Sequence, residues 1–418
     1  MDSVKVTVKG NTIEVTNGTS LEELSKLYQD DFKYEIILAK VDGIYEELTT
    51  TIHKDCTVEF LDLTEKGANQ VYLNGLIYLV IYATKRLFGR QIDIKVNHSI
   101  DKGLYIETSR RITEESIEKL ALEMKKIVHD DLPINKVTVT RFDAMDYFEN
   151  TGDFVKRDIM TYIASTHITL YKLGPFYNYL YSLMPINTKC LSHFELTYLH
   201  RNGFVLRFPT IYMEDGIKPY EHREKVFNLF KESRDWAKLL HLENVVDLNK
   251  RVSESRIEEI IRIDELVKNA KLLELAKAIV SKKNKAKIVL LAGPSSTGKT
   301  TTTNKLVLCL KSLGCNPKML SMDDYFVDRS NTPLDEDGKP DFERLEAVDL
   351  SLFEKTVQKL ISFEKVEIPT YNFILGKKEF KETMRLEEDD ILLIEGIHAL
   401  NPKVLEHVPR EDKITVYL

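Results

Sequence analysis

The chain has 418 residues and a mass of 48.4 kDa, a length that predicts about two to four domains rather than a single core. Hydrophobic residues make up 43% and charged residues 30%, so a chain that is disordered throughout is excluded. The formal net charge of −7 provides no general attraction to nucleic acid or to an anionic membrane, although a local basic patch is compatible with it.

Neither a membrane segment nor a secretory signal is predicted. The longest apolar stretches, among them Leu76–Ala83, are far shorter than the roughly 20 residues that span a bilayer. Residues Met1–Gly10 lack the uninterrupted apolar segment that a secretory signal needs. The four cysteines are scattered and form neither a disulfide framework nor a paired zinc motif. We therefore expect a soluble protein of the reducing cytoplasm.

The first 63 residues predict a small domain with one helix and several strands. The spans Val4–Val8 and Ile13–Val15 alternate apolar and polar residues, as in a hairpin with one buried face. A short helix over Leu21–Tyr28 and further strands over Tyr34–Val41 and Thr57–Leu63 complete a β-grasp order. This segment, 1–63, resembles the TGS domain, a ubiquitin-like module found at the start of threonyl-tRNA synthetases. No residue in it has a catalytic pattern, and a regulatory and an architectural role both stay open.

The next segment, 64–212, begins with an apolar helix, Tyr72–Phe88, whose last six residues read Ala-Thr-Lys-Arg-Leu-Phe. This motif resembles a helix of the editing domain that follows the TGS domain in threonyl-tRNA synthetases. Where that family has two histidines, the chain has Asn74 and Tyr78, and the family's later Cys-x-Gly-Pro-His motif reads Lys172–Phe176. Lysine and phenylalanine cannot bind zinc or position a hydrolytic water. The resemblance thus implies an editing-like fold without zinc ligands.

One Cys-x-x-His pair, Cys190 and His193, lies in the same segment. A zinc site needs a second pair of ligands, so two residues alone are weak evidence for a metal. We interpret them as a half-buried thiol beside a surface histidine.

A helical region is predicted over 213–284. Apolar residues recur at three- and four-residue spacing over Val226–Leu240 and again over Ile257–Ile279, and Ser253 is placed to cap the second helix. We interpret the apolar stripe as core rather than as a groove for a partner. The Lys- and Asn-rich segment Ser281–Lys287 predicts a boundary before a last domain, 285–418.

The strongest functional signal lies between residues 287 and 305. An apolar run, Lys287–Leu291, precedes a glycine-rich loop and a helical stretch, which is the context of a P-loop. The loop consists of Gly293, Pro294, Ser295, Ser296, Thr297 and Gly298. In such a loop the backbone N–H groups face phosphate oxygens at the positive end of the helix. Lys299 then reaches the β- and γ-phosphates, Thr300 coordinates Mg²⁺, and Thr301 completes the predicted ATP-binding set.

The second strand of this last domain, Pro317–Ser321, is followed directly by an acidic segment that contains Asp323. Sites form at the carboxyl ends of parallel strands, so Asp323 is placed to accept the proton of an attacking hydroxyl and to contact Mg²⁺. Tyr325 and Phe326 are expected to wall off the acceptor. The alternative is that Asp323 or a neighbour only caps a turn.

A third apolar strand, Asp390–Ile394, ends at Glu395. Next to the P-loop strand, a carboxylate at this position can hold Mg²⁺ directly or through water. His398, shortly after it, is expected to be structural or exposed.

These motifs together resemble the uridine kinase and phosphoribulokinase group of P-loop kinases. Besides the P-loop, the resemblance rests on Ser321–Phe326, Asp341–Glu343, Pro369–Phe373 and Glu395–Ile397. It implies an α/β domain with a parallel sheet, ATP and Mg²⁺ as cofactors, and Asp323 as general base. It also implies that Glu343 binds the ribose hydroxyls and that Tyr371 and Phe373 line the nucleoside pocket. The order of the modules resembles that of bacterial uridine kinase-like proteins with a TGS and synthetase-like amino-terminal half.

Two features depart from that group. Glu343 replaces the usual aspartate, and Gly376 stands near the position where those enzymes read the pyrimidine with a histidine, so the base specificity stays open. The arginine-rich lid and the end of the adenine pocket would lie beyond Leu418. We therefore expect 285–418 to be an incomplete kinase domain that binds ATP but transfers phosphate slowly.

The leading hypothesis is ATP-dependent phosphorylation of the 5′-hydroxyl of a uridine- or cytidine-like nucleoside, with Asp323 as base and Mg²⁺ held by Thr300 and Glu395. A variant of this hypothesis replaces the nucleoside by another sugar or a pantothenate-like alcohol. The sequence predicts no membrane association and does not define the oligomeric state.

The rival hypothesis is an RNA- or ribosome-associated protein whose amino-terminal modules bind structured RNA while the P-loop senses nucleotide. The acidic total charge disfavours nucleic acid as a partner. A local basic face is still available from Lys85, Arg86, Arg90, Arg110 and Arg111.

Overall fold

The computed structural model describes residues 3–211, 216–282, 287–335 and 337–418. The chain divides into two units, Met1–Ser255 and Arg256–Leu418. The domain boundaries predicted at 212/213 and 284/285 lie outside the described residues. The division into four domains therefore stays a prediction.

The first unit begins with a five-stranded sheet and one short helix. These elements are β1 (Ser3–Val8), β2 (Asn11–Thr16), α1 (Leu21–Ser25), β3 (Leu38–Val41), β4 (Ile44–Glu46) and β5 (Cys56–Leu61). The strand order is β2-β1-β5-β3-β4, with β1 and β5 parallel and the other pairs antiparallel, which is the predicted β-grasp arrangement. Ser20 and Glu23 form a capping box at the start of α1. The helix ends at Ser25, earlier than predicted.

The middle of the first unit contains two further sheets around a 23-residue helix. Its elements are α2 (Lys66–Phe88), β6 (Ile94–Ile100), β7 (Gly103–Thr108), α3 (Glu114–His129), β8 (Ile134–Thr140), α4 (Arg141–Thr151), α5 (Phe154–Met160), β9 (His167–Leu173), β10 (Phe176–Asn178), β11 (Glu195–His200) and β12 (Gly203–Arg207). The sheets have the orders β10-β9-β8 and β11-β12-β7-β6. Helix α2 is apolar on most of its surface and is buried in the main core. None of the helices within the described residues has an apolar run sufficient for a bilayer crossing.

Two helices end the first unit, α6 (Glu224–Leu239) and α7 (Val245–Ser253). Helix α6 packs on the β11-β12-β7-β6 sheet through Phe227, whose ring meets that of Tyr105 edge to face at 5.1 Å. The prediction that Ser253 caps the second helix is wrong, because Ser253 is the last residue of α7. Asn244 and Asp247 form a capping box that starts this additional helix.

The second unit is an α/β domain with a parallel sheet. Its elements are α8 (Ile257–Lys282), β13 (Ile288–Ala292), α9 (Lys299–Ser312), β14 (Asn316–Ser321), α10 (Leu350–Ile361), β15 (Val366–Asn372), β16 (Lys377–Met384), β17 (Asp390–Glu395) and β18 (Lys413–Tyr417). The strand order is β14-β17-β13-β18, and every pair is parallel. Helices α8 and α9 cover one face of the sheet and α10 covers the other, so the central strands β13 and β17 are buried along their whole length and read as apolar runs, as predicted. This topology brings the carboxyl ends of β13, β14 and β17 to one edge.

Candidate active site

The P-loop joins β13 to α9 and ends at Gly298, the N-cap residue of the helix. Ser296 and Gly298 have positive φ angles of 63° and 80°, which bend the loop. Within the described part of the chain, the backbone N–H groups of Ser295, Ser296 and Gly298 have no hydrogen-bond acceptor. The N–H groups of the first turn of α9 lack intrahelical acceptors because of helix geometry. Together these amides can bind phosphate oxygens at the positive end of the helix.

Lys299 is the first residue of α9, and its side chain is folded against the loop. It is only 9% exposed, and its Nζ donates to the carbonyl oxygen of Pro294 at 3.0 Å. Thr297 Oγ1 donates to the same carbonyl at 2.8 Å. The ammonium group is thus held beside the unpaired amides, where a lysine can pair with a phosphate.

Glu395 ends β17 beside the P-loop strand and is 3% exposed. Its Oε1 accepts from Ser321 Oγ at 2.8 Å and from Thr300 Oγ1 at 3.4 Å. Its Oε2 is buried and has no hydrogen-bond partner among the described residues. A buried carboxylate oxygen without a donor is costly unless a cation meets it. Glu395 and Thr300 therefore fit Mg²⁺, a hard cation that prefers oxygen ligands.

Asp323 lies on a 3-10 turn, Met322–Tyr325, at the carboxyl end of β14. Burial raises the pKa of Asp323, and the charge of Asp324 raises it further. The positive charges of Lys299 and His398 lower this pKa, but the net direction is upward. The carboxylate is therefore close enough to the P-loop lysine for their charges to interact.

The adjacent carboxylate, Asp324, has a different environment. Its Oδ1 accepts a hydrogen bond from the backbone N–H of Tyr371 at 3.1 Å, which ties the 3-10 turn to β15. Burial raises the pKa of Asp324, and the hydrogen bond from Tyr371 lowers it, with an upward net direction. Asp324 thus positions the turn, and Asp323 keeps its carboxylate for another task.

Four aromatic residues of the second unit form a cluster, with every pair of ring centroids 5.0–6.3 Å apart. Its members are Phe326, Phe342, Tyr371 and Phe373. Phe326 and Tyr371 are 5% and 4% exposed, whereas Phe373 is 54% exposed and Phe342 is partly exposed. The accessible faces for an acceptor are therefore those of Phe342, which the sequence did not single out, and Phe373.

The prediction that Tyr325 contacts the acceptor is not supported by its position. Tyr325 is 0% exposed and packs edge to face against Phe353 of α10 at 5.1 Å. The rings of Tyr325 and Phe326 both belong to the core cluster of the second unit, but only the Phe326 ring also contacts Phe342 and Phe373. We assign Tyr325 to the core.

Two other positions from the sequence lie near the cluster. Glu343 is exposed, and its N–H donates to Asp341 Oδ1 at 2.9 Å, so its side chain is accessible beside Phe342. Gly376 lies in the turn between β15 and β16 with a φ of 66°, and its carbonyl accepts from the N–H of Arg329 at 2.9 Å. The backbone conformation of this turn explains why a glycine stands there.

In the first unit, the positions that resemble the editing site serve in packing. Tyr78 Oη lies 2.6 Å and 3.0 Å from the carbonyl oxygens of Tyr171 and Phe176. Asn74 Nδ2 donates to a carbonyl oxygen at 3.2 Å. Within the described ranges, no group of three or more His, Cys, Asp or Glu side chains could hold a metal ion.

The interpretation of His193 as a surface residue is confirmed, whereas Cys190 is more deeply buried than predicted. Cys190 is buried, its thiol donates to the carbonyl oxygen of Asn187 at 3.2 Å, and burial raises its pKa. His193 is exposed. A thiol that is buried in this way stays protonated and is chemically inert.

The basic residues of the RNA-binding hypothesis are mostly paired within the chain. Lys85 and Arg86 form ion pairs with acidic side chains, the second at 3.0 Å, and Arg90 donates to a backbone carbonyl at 2.8 Å. Arg110 and Arg111 are exposed. This surface therefore gives no specific support to RNA binding.

The parallel sheet, its P-loop and the acidic residues at the ends of two neighbouring strands define the second unit as a P-loop kinase domain. Residues 288–416 match the model described as "Phosphoribulokinase / Uridine kinase family", and this domain belongs to that family.

The amino-terminal and middle regions are similar to threonine–tRNA ligases. The ligase of Finegoldia magna is 31% identical over 170 residues, which cover 40% of this chain and 27% of the ligase. Threonine–tRNA ligase 1 of Bacillus subtilis is 28% identical over 199 residues, which cover 47% of this chain and 31% of the ligase. The chain thus spans less than a third of the length of these curated relatives.

Two solved kinase structures are also similar. A possible uridine kinase from Bacillus stearothermophilus has 21% identity and a TM-score of 0.30, covering 35% of this chain and 79% of that chain. D-glycerate 3-kinase from Cryptococcus neoformans has 20% identity and a TM-score of 0.24, covering 31% of this chain and 52% of that chain.

Proposed function

We propose that this protein phosphorylates the 5′-hydroxyl of a uridine- or cytidine-like nucleoside, with ATP and Mg²⁺ as cofactors. One relationship supports this activity above others. The parallel register of β13, β17 and β14 brings Lys299, at the P-loop, and Asp323, after β14, to the same edge of the sheet, and the charge of Lys299 lowers the pKa of Asp323. A phosphate-binding cation and a carboxylate suited to general-base catalysis therefore share one site.

Each residue of the site has a defined task. The unpaired P-loop amides and Lys299 bind phosphate oxygens, and Thr300 and Glu395 supply oxygen ligands for Mg²⁺. When bound, MgATP supplies the transferable γ-phosphoryl group and the charge of the metal ion. Asp323 accepts the proton of the acceptor hydroxyl, for which a raised pKa improves the match to neutral pH.

The aromatic cluster favours a nucleoside over a sugar or a pantothenate-like alcohol. Phe342 and Phe373 offer accessible aromatic faces, on which a planar base can stack. Glu343 is exposed beside Phe342 and can accept hydrogen bonds from ribose hydroxyls. Fructose, glycerate and pantothenate have no planar aromatic base that could stack on these faces.

The test is ADP release by the purified protein with a panel of acceptors: uridine, cytidine, adenosine, D-fructose, D-glycerate and pantothenate. We expect turnover with uridine or cytidine and a loss of about 10²-fold or more in kcat for Asp323→Asn. Asp337→Asn, at an exposed position of the same unit, is the matched control and should keep the wild-type rate. Unchanged turnover in Asp323→Asn, or turnover only with acceptors that lack a base, would contradict the proposal.

A further inference from the structure

A cavity of about 400 Å³ lies in the first unit, lined by α6, by β7 and by the end of β11 with the turn that follows it. The proposed kinase activity does not use it. Its charged lining consists of four cationic side chains and two acidic ones: Arg201, Lys231, Arg234, Lys238, Glu107 and Asp235. An excess of positive charge within a cavity attracts anions.

Arg234 is the least exposed of the four cationic side chains that line the cavity. Its side chain is 16% exposed, and its Nε and Nη1 atoms are buried without a hydrogen-bond partner among the described residues. Nε lies 3.6 Å from Glu107 Oε2, which is an ion pair but exceeds hydrogen-bond length. Unpaired buried donors of a guanidinium are costly, and the oxygens of an anion in the cavity would satisfy them.

Glu107 anchors one wall of the cavity. It accepts hydrogen bonds from Asn97 at 3.1 Å and from Lys238 Nζ at 3.2 Å. Burial raises the pKa of Glu107, but these hydrogen bonds and the charge of Arg234 outweigh burial, so the net direction is downward. The ionised carboxylate therefore orients Arg234 and Lys238, whereas Lys231 is exposed and has no side-chain partner in the described part of the chain.

A hydroxyl donor completes the lining. The N–H of Asn202 donates to His200 Nδ1 at 3.1 Å, and His200 Nε2 lies 3.2 Å from Tyr105 Oη. Burial and the charge of Arg234 lower the pKa of His200, so the ring is neutral near pH 7 and carries its proton on Nε2. The Tyr105 oxygen thus accepts from His200, and its own proton stays available for an oxygen in the cavity.

We propose that this cavity binds the phosphate group of a small molecule, with room for a mononucleotide. Several converging cations, one of them a guanidinium with free donors, suit a dianionic phosphate better than a single carboxylate. The volume lies within the range of small-molecule sites, and the rings of Tyr105, His200 and Phe227 give it an aromatic side. The site is independent of the proposed kinase activity.

Calorimetric titration with inorganic phosphate, pyrophosphate, AMP and UMP tests the proposal on the full chain. The Lys299→Ala background reduces phosphate binding at the P-loop, so the remaining binding reports on the cavity. We expect saturable binding of at least one phosphate ligand, weakened about tenfold or more by Lys231→Gln or Arg234→Gln. Lys225→Gln, an exposed substitution on the same helix outside the cavity, should leave the affinity unchanged.

Absence of saturable binding for all four probes would overturn the proposal, as would binding that neither cavity variant weakens. Retention of structured RNA with a steep salt dependence, without binding of the small phosphates, would also overturn it. Should Arg234→Gln fail to fold, which circular dichroism would show, Lys231→Gln decides the outcome because its side chain is exposed. Trp236, on the same helix, supplies an independent fluorescence readout.

Discussion

Ser321 and Glu395 are register partners on the parallel strands β14 and β17, and the Ser321 hydroxyl donates to Glu395 Oε1 at 2.8 Å. Thr300 Oγ1 lies 3.4 Å from the same oxygen. One carboxylate oxygen is thus fixed by two hydroxyls, while Oε2 has no protein donor within the described ranges. Hydrogen bonds from neighbouring side chains to a metal-binding carboxylate hold it in the orientation that binds the metal.

Removal of the orienting hydroxyl should therefore weaken metal binding. We expect Ser321→Ala to lower the apparent Mg²⁺ affinity about 10-fold, the lower end of such effects, and Glu395→Gln to lower it further. The measurement is the Mg²⁺ dependence of ATP binding and of ADP release. Glu406→Gln, exposed in the same unit, is the control. An unchanged Mg²⁺ requirement in Glu395→Gln would remove it from the metal site.

The charges around Asp323 predict opposite shifts of the pH–rate profile. Only the ionised carboxylate accepts a proton, so turnover should rise with pH through the raised pKa of Asp323. Asp324→Asn removes a negative charge that raises this pKa, so the acid limb should move to lower pH. His398→Ala removes a positive charge that lowers it, so the acid limb should move to higher pH. Profiles that move together, or not at all, would show that another group controls the acid limb.

The sequence is sufficient for the β-grasp order of the first sheet and for the P-loop with its flanking strand and helix, because buried parallel strands read as apolar runs and the loop is a local motif. It is insufficient where a role depends on distant partners. Ser321 acquires its role through the register of β14 against β17, and Phe342 through its contact with the β15–β16 hairpin. The position of Tyr325 depends on its packing against Phe353 of α10, a contact between distant parts of the chain that the local sequence does not reveal.

The exposed ring of Phe373 predicts a specific effect on the acceptor. Phe373→Ala removes an accessible stacking face, so we expect the KM for the nucleoside to rise about tenfold with little change in the KM for ATP. Ile374→Ala, at the adjacent position with an 89% exposed side chain, is the matched control. Initial rates measured over a range of nucleoside and ATP concentrations give the two KM values separately. Equal effects of the two substitutions would count against a stacking role.

A buried carboxylate links the β-grasp sheet to the middle of the first unit. Glu47 is 5% exposed, and its Oε1 accepts from Tyr171 Oη at 2.5 Å and from the N–H of Met184 at 2.9 Å. Glu47→Ala leaves both donors buried without an acceptor and should lower the free energy of unfolding by about 3 kcal/mol. Glu47→Gln, which keeps an acceptor, should cost less. Urea denaturation measures both, with Glu14→Ala, exposed on β2, as control; equal values for Glu47→Ala and that control would contradict the link.

The turn at Gly376 predicts a defect that combines backbone strain with a steric contact. Its φ is 66°, and a Cβ atom at this position would lie 2.8 Å from the Cβ of Arg329. Gly338 has a similar φ of 76°, but a Cβ atom there would meet nothing within 4 Å. Gly338→Ala should therefore cost only the strain of the left-handed conformation, about 1 kcal/mol, and Gly376→Ala should cost more because Arg329 must move. Urea denaturation of the two alanine variants is the measurement, and equal stability of the two would show that the Arg329 contact yields freely.

A larger side chain at the same position, in Gly376→His, should reduce nucleoside phosphorylation rather than add base recognition, since it displaces the Arg329 contact to the turn. ADP release by the histidine variant checks this outcome.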